Sequence, residues 1–212
     1  VGSEMCIRDS SCNCAFADMG LGLGGDTLKS TAEDLLFNRA LPLNSYKTSR
    51  FTLDKDSPNA LVMQTSIGQG NTLVSPMHMA LLTSAIANDG VLMKPTMIDK
   101  IVNNSGDTVR ETEKTEYKRL MTRNEANILG KLMKNVVENG TASALNGRGY
   151  TVAGKTGSAE FDENGSSHSW FVGYSNVDDP DIAIAVIVEN GGTGSEAAVP
   201  IAADVFDAYY FD

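Results

Sequence analysis

The stretch Val152-Ala-Gly-Lys-Thr-Gly-Ser-Ala-Glu160 constrains the fold more than any other part of this chain. Read backwards from Lys155, Gly149 to Thr156 fits G-x-x-x-x-G-K-T, a phosphate-binding loop. Such a loop needs a buried strand before it and a helix starting at the Lys-Thr pair, whose free N–H groups hold the phosphates. The surroundings here are the reverse. Asn146-Gly147-Arg148 reads as a turn, Tyr150 to Ala153 carries residues suited to a strand, and Gly157 is a poor first-turn helix residue. Asp162-Glu163-Asn164-Gly165 then reads as a hairpin turn. Lys155-Thr156-Gly157 is therefore expected on a strand that returns as a second strand, and nucleotide binding is set aside. On a strand edge Lys155 offers charge to a carboxylate and Thr156 a hydroxyl donor. Gly157 leaves room for a ligand lying along the edge like an added strand. An exposed lysine beside a turn would read the same locally, so the rest of the chain must decide.

Composition narrows the choice. The 212 residues suffice for one sizeable core or two small domains. A net charge of −10 argues against nucleic acid or an anionic membrane as the main partner. No run approaches the ~20 apolar residues of a membrane span, and no signal peptide is evident. Cys6, Cys12 and Cys14 cluster near the start and form no disulfide framework. His78 and His168 are the only histidines, and the zinc motifs are absent, so no metal site is expected.

Punctuation along the chain predicts helices and strands. Val1 to Asp9 lacks periodicity and reads as a non-native leader, leaving 10–212 as the folded part. Cys12 to Leu21 reads as a short helix with Phe16 and Met19 inward. Gly20-Leu-Gly-Leu-Gly-Gly25 matches G-x-G-x-x-G but follows a helical pattern, so it reads as a flexible interhelix turn rather than a dinucleotide site. Asp26 is expected to cap the next helix, and Phe37 to Pro58 is a long connection. Ser75-Pro76 opens a helix as N-cap and N1, with Met79, Leu82 and Ile86 on a core stripe and Gly90 at its end. Strands over Val91 to Lys94 and Thr96 to Val102 follow, with a turn at Asn103 to Asp107 and a return over Thr108 to Glu111. Thr122-Arg-Asn-Glu125 is a capping box. It heads a helix whose buried face is Ile128, Leu129, Leu132, Met133, Val136 and Val137. Strands are expected over Tyr150 to Phe161, His168 to Ser175 and Ile182 to Val188, the last nearly all apolar as in a central strand. An apolar helix from Ala197 to Tyr210 closes the chain. Adjacent hairpins with helices imply an α+β fold, an antiparallel sheet flanked by helices.

Ser11-Cys12-Asn13 precedes the first helix. A serine and an asparagine two apart at a turn can face one side, where the hydroxyl relays a proton and the amide holds a carbonyl. Ser57-Pro58-Asn59 has the same form but sits in the long connection, so Ser11 is preferred. Several stretches now stand in one order: Ser-Cys-Asn-Cys-Ala-Phe-Ala17, Gln64-Thr-Ser-Ile-Gly-Gln-Gly70, Ser75-Pro76 with Met79-Ala80, Asn139-Gly-Thr-Ala142, Val152 to Glu160, and His168-Ser-Trp-Phe-Val-Gly-Tyr174. Together they resemble the transpeptidase domain of class B penicillin-binding proteins, a fold shared with serine β-lactamases.

The resemblance implies a bacterial peptidoglycan D,D-transpeptidase that cross-links stem peptides by serine acyl transfer and is acylated by β-lactams. It implies no cofactor. Its expected partners are a D-Ala-D-Ala stem peptide, β-lactams and a membrane glycosyltransferase, at the extracytoplasmic face of the cell membrane. By position, Ser11 resembles the proton-relay serine and Asn13 the residue that orients the substrate amide. Lys155 and Thr156 resemble the carboxylate-binding pair, beside Gly157, and Ser158 the residue whose N–H forms half of the oxyanion hole.

The sequence departs from the family at one serious point. Its nucleophile lies in S-x-x-K upstream of S-x-N, and no serine in this sequence has a lysine three residues on. The chain is therefore expected to be a C-terminal fragment, incomplete at the N-terminus, that forms no acyl-enzyme. Cys14 stands where threonine is frequent and is expected to be a small buried side chain. Trp170 is expected in the core, His168 hydrogen-bonded on its strand, and Gln69 holding a loop. The rival functions are a β-lactamase or β-lactam sensor and a non-catalytic binding module for peptidoglycan peptides.

Overall fold

The computed structural model describes residues 11–43, 46–161 and 167–211. The leader, Cys6 and the Asp162–Gly165 turn lie outside them. Helices α1 (Asn13–Leu23), α2 (Gly25–Asp34), α3 (Asn59–Ser66) and α4 (Pro76–Ala87) come first. Short strands β1 (Val91–Met93), β2 (Lys100–Val102), β3 (Thr108–Glu111) and β4 (Glu116–Arg119) precede α5 (Arg123–Asn139). Strands β5 (Val152–Glu160), β6 (Ser167–Ser175) and β7 (Ala183–Val188) and helix α6 (Val199–Phe211) complete the fold. It is α+β, as expected.

The main sheet has the order β5-β6-β7 and is antiparallel throughout. β5 and β6 pair without a bulge from Val152 opposite Ser175 to Glu160 opposite Ser167. Among the described residues β6 lies between β5 and β7 in this sheet. The apolar run of β7 is covered on both faces, as its composition predicts: Ile184 and Val186 pack toward α6, and Ala183 packs on the opposite side.

One face carries Val152 and Phe171 against Val199, Ala202, Ala203 and Phe206 of α6. A five-residue π-turn, Gly194–Ala198, leads into that helix. The other face carries Ala153 and Tyr174 against Met133 of α5 and Ile86 and Ala87 of α4. The start of β5 is locked to the end of α6. Asp207 accepts from Tyr150 Oη at 2.5 Å and pairs with Arg148. Burial first, then the Asp207 bond, pushes the Tyr150 phenol up to about 12.

Helix boundaries follow the caps. Ser75 Oγ accepts from the His78 N–H, with Pro76 at N1. Thr122 and Glu125 form the reciprocal capping box of α5, which ends at Gly140. The G-x-G-x-x-G stretch corrects its reading. It is helical as far as Leu23, and only Gly24, at φ 79°, breaks the chain between α1 and α2. Gly24 also holds the N-cap position, so Asp26 lies in the first turn and caps nothing. Met19 is exposed rather than inward, and Cys14 is exposed rather than buried. Ile128 and Leu129 are 46% and 38% exposed. Met133, Val136 and Val137 are buried as expected, together with Ala126 and Gly130.

Candidate active site

Lys155 and Ser11 meet. Lys155 Nζ donates to Ser11 Oγ at 2.5 Å and to the Thr156 carbonyl at 2.8 Å, joining motifs 144 positions apart. The register explains how. Alternate residues of β5 face opposite sides, so Lys155, opposite Val172, points with Ala153 toward the helical layer. Ser11 sits at the head of α1 with a left-handed backbone, φ 52°. Such a conformation is costly for a residue with a side chain. Lys155 is half-buried, and that burial holds its ammonium below the ordinary lysine value. The free amine is thereby brought closer to neutral pH.

Thr156 and Ser158 point to the opposite face. Thr156 Oγ1 lies 2.6 Å from Thr141 Oγ1, and Ser158 Oγ accepts from the Gly194 N–H at 3.3 Å. Gly194 covers the ladder beside Gly157. A Cβ on Gly194 would stand 2.9 Å from the Gly157 nitrogen and 2.7 Å from the Trp170 carbonyl. The face beside Gly157 is thus filled by the π-turn, and the approach left to a ligand is along the strand edge and past Lys155. That edge is unpaired, because β5 has only β6 beside it among the described residues.

Asn13 opens α1 and is exposed. The second S-x-N is tied up elsewhere: Ser57 Oγ donates to Asp54 Oδ1 at 3.0 Å in a turn. Gln69 Nε2 donates to the Ser158 carbonyl at 3.2 Å, so it touches the candidate site directly. His168 accepts from the Asn190 N–H at 3.2 Å through Nδ1 and stacks on Phe161. Trp170 is half-buried on the Lys155 face. Thr141 had no role in the sequence reading, although it lies in Asn139-Gly-Thr-Ala142. Only the tertiary contact with Thr156 marks it.

Behind Lys155 opens a cavity of about 1110 Å³. Phe16, Met79, Leu82, Ile86, Leu129 and Val172 contribute to its lining. The Met79-Leu82-Ile86 stripe therefore borders a void as well as core.

A strand-borne lysine thus meets an S-x-N serine on an antiparallel sheet packed between helices. Residues 7–207 match the family described as the penicillin binding protein transpeptidase domain. The chain belongs to that family. It is 31% identical over 202 residues to the peptidoglycan D,D-transpeptidase PbpA of Mycolicibacterium smegmatis, covering 90% of this chain and 40% of that protein. Its fold superposes with a TM-score of 0.85, at 28% identity, on the D,D-transpeptidase domain of a peptidoglycan glycosyltransferase from Eggerthella lenta, covering 98% of this chain and 53% of that one. It superposes with a TM-score of 0.81, at 27% identity, on penicillin-binding protein A of M. tuberculosis as an imipenem acyl-enzyme complex, covering 94% and 45%. The chain thus spans about half or less of the length of these relatives.

Proposed function

We propose that this chain forms the substrate-holding wall of a peptidoglycan D,D-transpeptidase and β-lactam target. The observation that carries the reading is the 2.5 Å hydrogen bond between Lys155 Nζ and Ser11 Oγ. In this reading Ser11 relays a proton to the leaving amine, and Asn13 orients the substrate amide. Lys155 receives the terminal carboxylate of a D-Ala-D-Ala stem peptide at the strand edge, and the Thr156 hydroxyl, held by Thr141 on the other face, reaches it only across that edge. Gly157 keeps the strand slim, and the Ser158 N–H polarises the scissile carbonyl.

The acylating serine belongs, in this reading, to an S-x-x-K segment outside residues 1–212. Its oxygen bonds to the acyl carbon, the amide C–N bond breaks, and the serine proton leaves on the amine. The cavity behind Lys155 supports this. It is slightly larger than an ordinary ligand pocket of about 300–1,000 Å³, and the relatives supply roughly as much chain again or more. We assign its cover to that additional chain, with residues 10–212 as a partial transpeptidase domain and 1–9 as a foreign leader. We also propose action at the outer face of the cell membrane beside a glycosyltransferase, a setting that fits relatives named for peptidoglycan cross-linking. Among the described residues no helix is long and apolar enough to cross a membrane.

The test is covalent labelling by fluorescent penicillin. The full-length protein carrying this sequence should label, and Lys155→Ala and Ser11→Ala should each slow labelling by about 10²–10⁴-fold. Residues 1–212 alone should not label; a labelled serine within them would overturn the assignment. Sustained nitrocefin turnover would replace it with a β-lactamase.

A further inference from the structure

The loop after α3 reaches across the site to β5. Gly68 and Gly70 adopt φ 81° and 73°, a region that glycine enters without strain. Between them the Gln69 N–H donates to the Gln64 carbonyl at 2.9 Å. This tight turn aims the Gln69 side chain at the Ser158 carbonyl, 3.2 Å from Nε2. The carbonyl can only accept, so it fixes which end of the amide faces it.

The register shows what that oxygen would otherwise do. In an antiparallel pair a residue directs its N–H and C=O together, either toward the partner strand or away from it. The Ser158 carbonyl is met from the helical side, across the strand from β6. Its N–H therefore faces the same open edge. An amide ligand laid along that edge would offer its own N–H to the Ser158 oxygen, as an added strand does. The Gln69 amide is the same donor group, already in place.

We propose that Gln69 is a positioning residue that stands in for a ligand amide on Ser158 and is exchanged for it on binding. It makes the site discriminate between ligands that carry an acyl-amide N–H at this point and ligands that do not. The proposal rests on the transpeptidase reading. A ligand with the amide must compete with Gln69, whereas one without it leaves Gln69 where it is.

The experiment compares acylation of the full-length protein by penicillin G, which carries an acylamino N–H, and imipenem, which carries a hydroxyethyl group there. Second-order rate constants are measured for the unsubstituted protein, Gln69→Ala and Gln69→Met. The methionine variant fills the loop without a donor. The ratio of the penicillin G to the imipenem constant should rise by about three- to tenfold in both variants, the net worth of one hydrogen bond. An equal change for both ligands, or a falling ratio, would make Gln69 a brace of its loop and overturn the proposal. If the unsubstituted protein reacts with neither ligand, the transpeptidase reading fails. The Gln69 proposal is then decided by calorimetry with an N-acyl-D-Ala-D-Ala peptide. Severalfold tighter binding in both variants supports it, and equal or absent binding overturns it.

Discussion

Lys155 shows how a single residue takes its chemistry from its surroundings. Burial lowers its ammonium pKa below the ordinary value of 10.5. If its charge holds a carboxylate, substrate capture falls as pH rises through that lowered value. Lys155→Arg stays charged and should flatten the alkaline limb of the full-length protein's acylation profile; an unaltered limb would assign the titration to another group. His78 carries the opposite kind of consequence. It is fully buried, Nε2 lies 2.8 Å from the Leu35 carbonyl, and Nδ1 has no hydrogen-bond partner among the described residues. Desolvation lowers its pKa, outweighing the Leu35 bond. The unfolded chain therefore binds a proton that the folded one refuses. Stability should fall as pH drops below about 6.5, the ordinary histidine value. His78→Phe should remove that part of the acid slope in urea melts, even though it costs the Leu35 bond. The sequence showed Lys155 as strand-borne, because turn residues flank it. It could not show Thr141 or the Gln69 bond, since both depend on contacts between distant segments.

Among the elements, legibility followed the strength of local signals. The capping box at Thr122 and the serine-proline start at Ser75 were readable because the cap is chemistry within four residues. Thr122→Ala should cost about 1 kcal/mol in equilibrium unfolding, and a variant with no change would mean that α5 is held by packing alone. Two elements gave no such signal. β4 is Glu-Tyr-Lys-Arg, with no apolar alternation, and exists because it pairs with β1. α3 is eight residues long and its cap position is Pro58, which makes no side-chain cap. The face of α5 was only partly legible, because the helix carries two apolar stripes side by side. One packs on the sheet, and the other, Ile128 and Leu129, faces the cavity. Periodicity counts apolar positions and is silent about which stripe has a neighbour.

At the scale of the molecule, the cavity is the feature with the plainest physical consequence. Its apolar lining should bind an environment-sensitive dye such as ANS in residues 1–212 at neutral pH. Leu129→Glu, which places charge in the lining, should reduce that fluorescence, and the full-length protein should show little of it. Equal dye binding by both proteins would mean that the additional chain does not cover the cavity. The fold class was legible because hairpins and amphipathic helices are local patterns. The void was not, because an unfilled space has no residues of its own to read.

The unbroken pairing of β5 with β6 makes the site a matter of parity. Lys155 faces the cleft only because it stands an even number of residues from Ala153 and Gly157, and one inserted or deleted residue inside β5 would send it under the π-turn. Length changes between Phe161 and Ser167 leave that count untouched. Variation by insertion should therefore be tolerated in the connection and lethal to the chemistry a few residues earlier. A deep mutational scan of indels across 150–170 would record that boundary as a step.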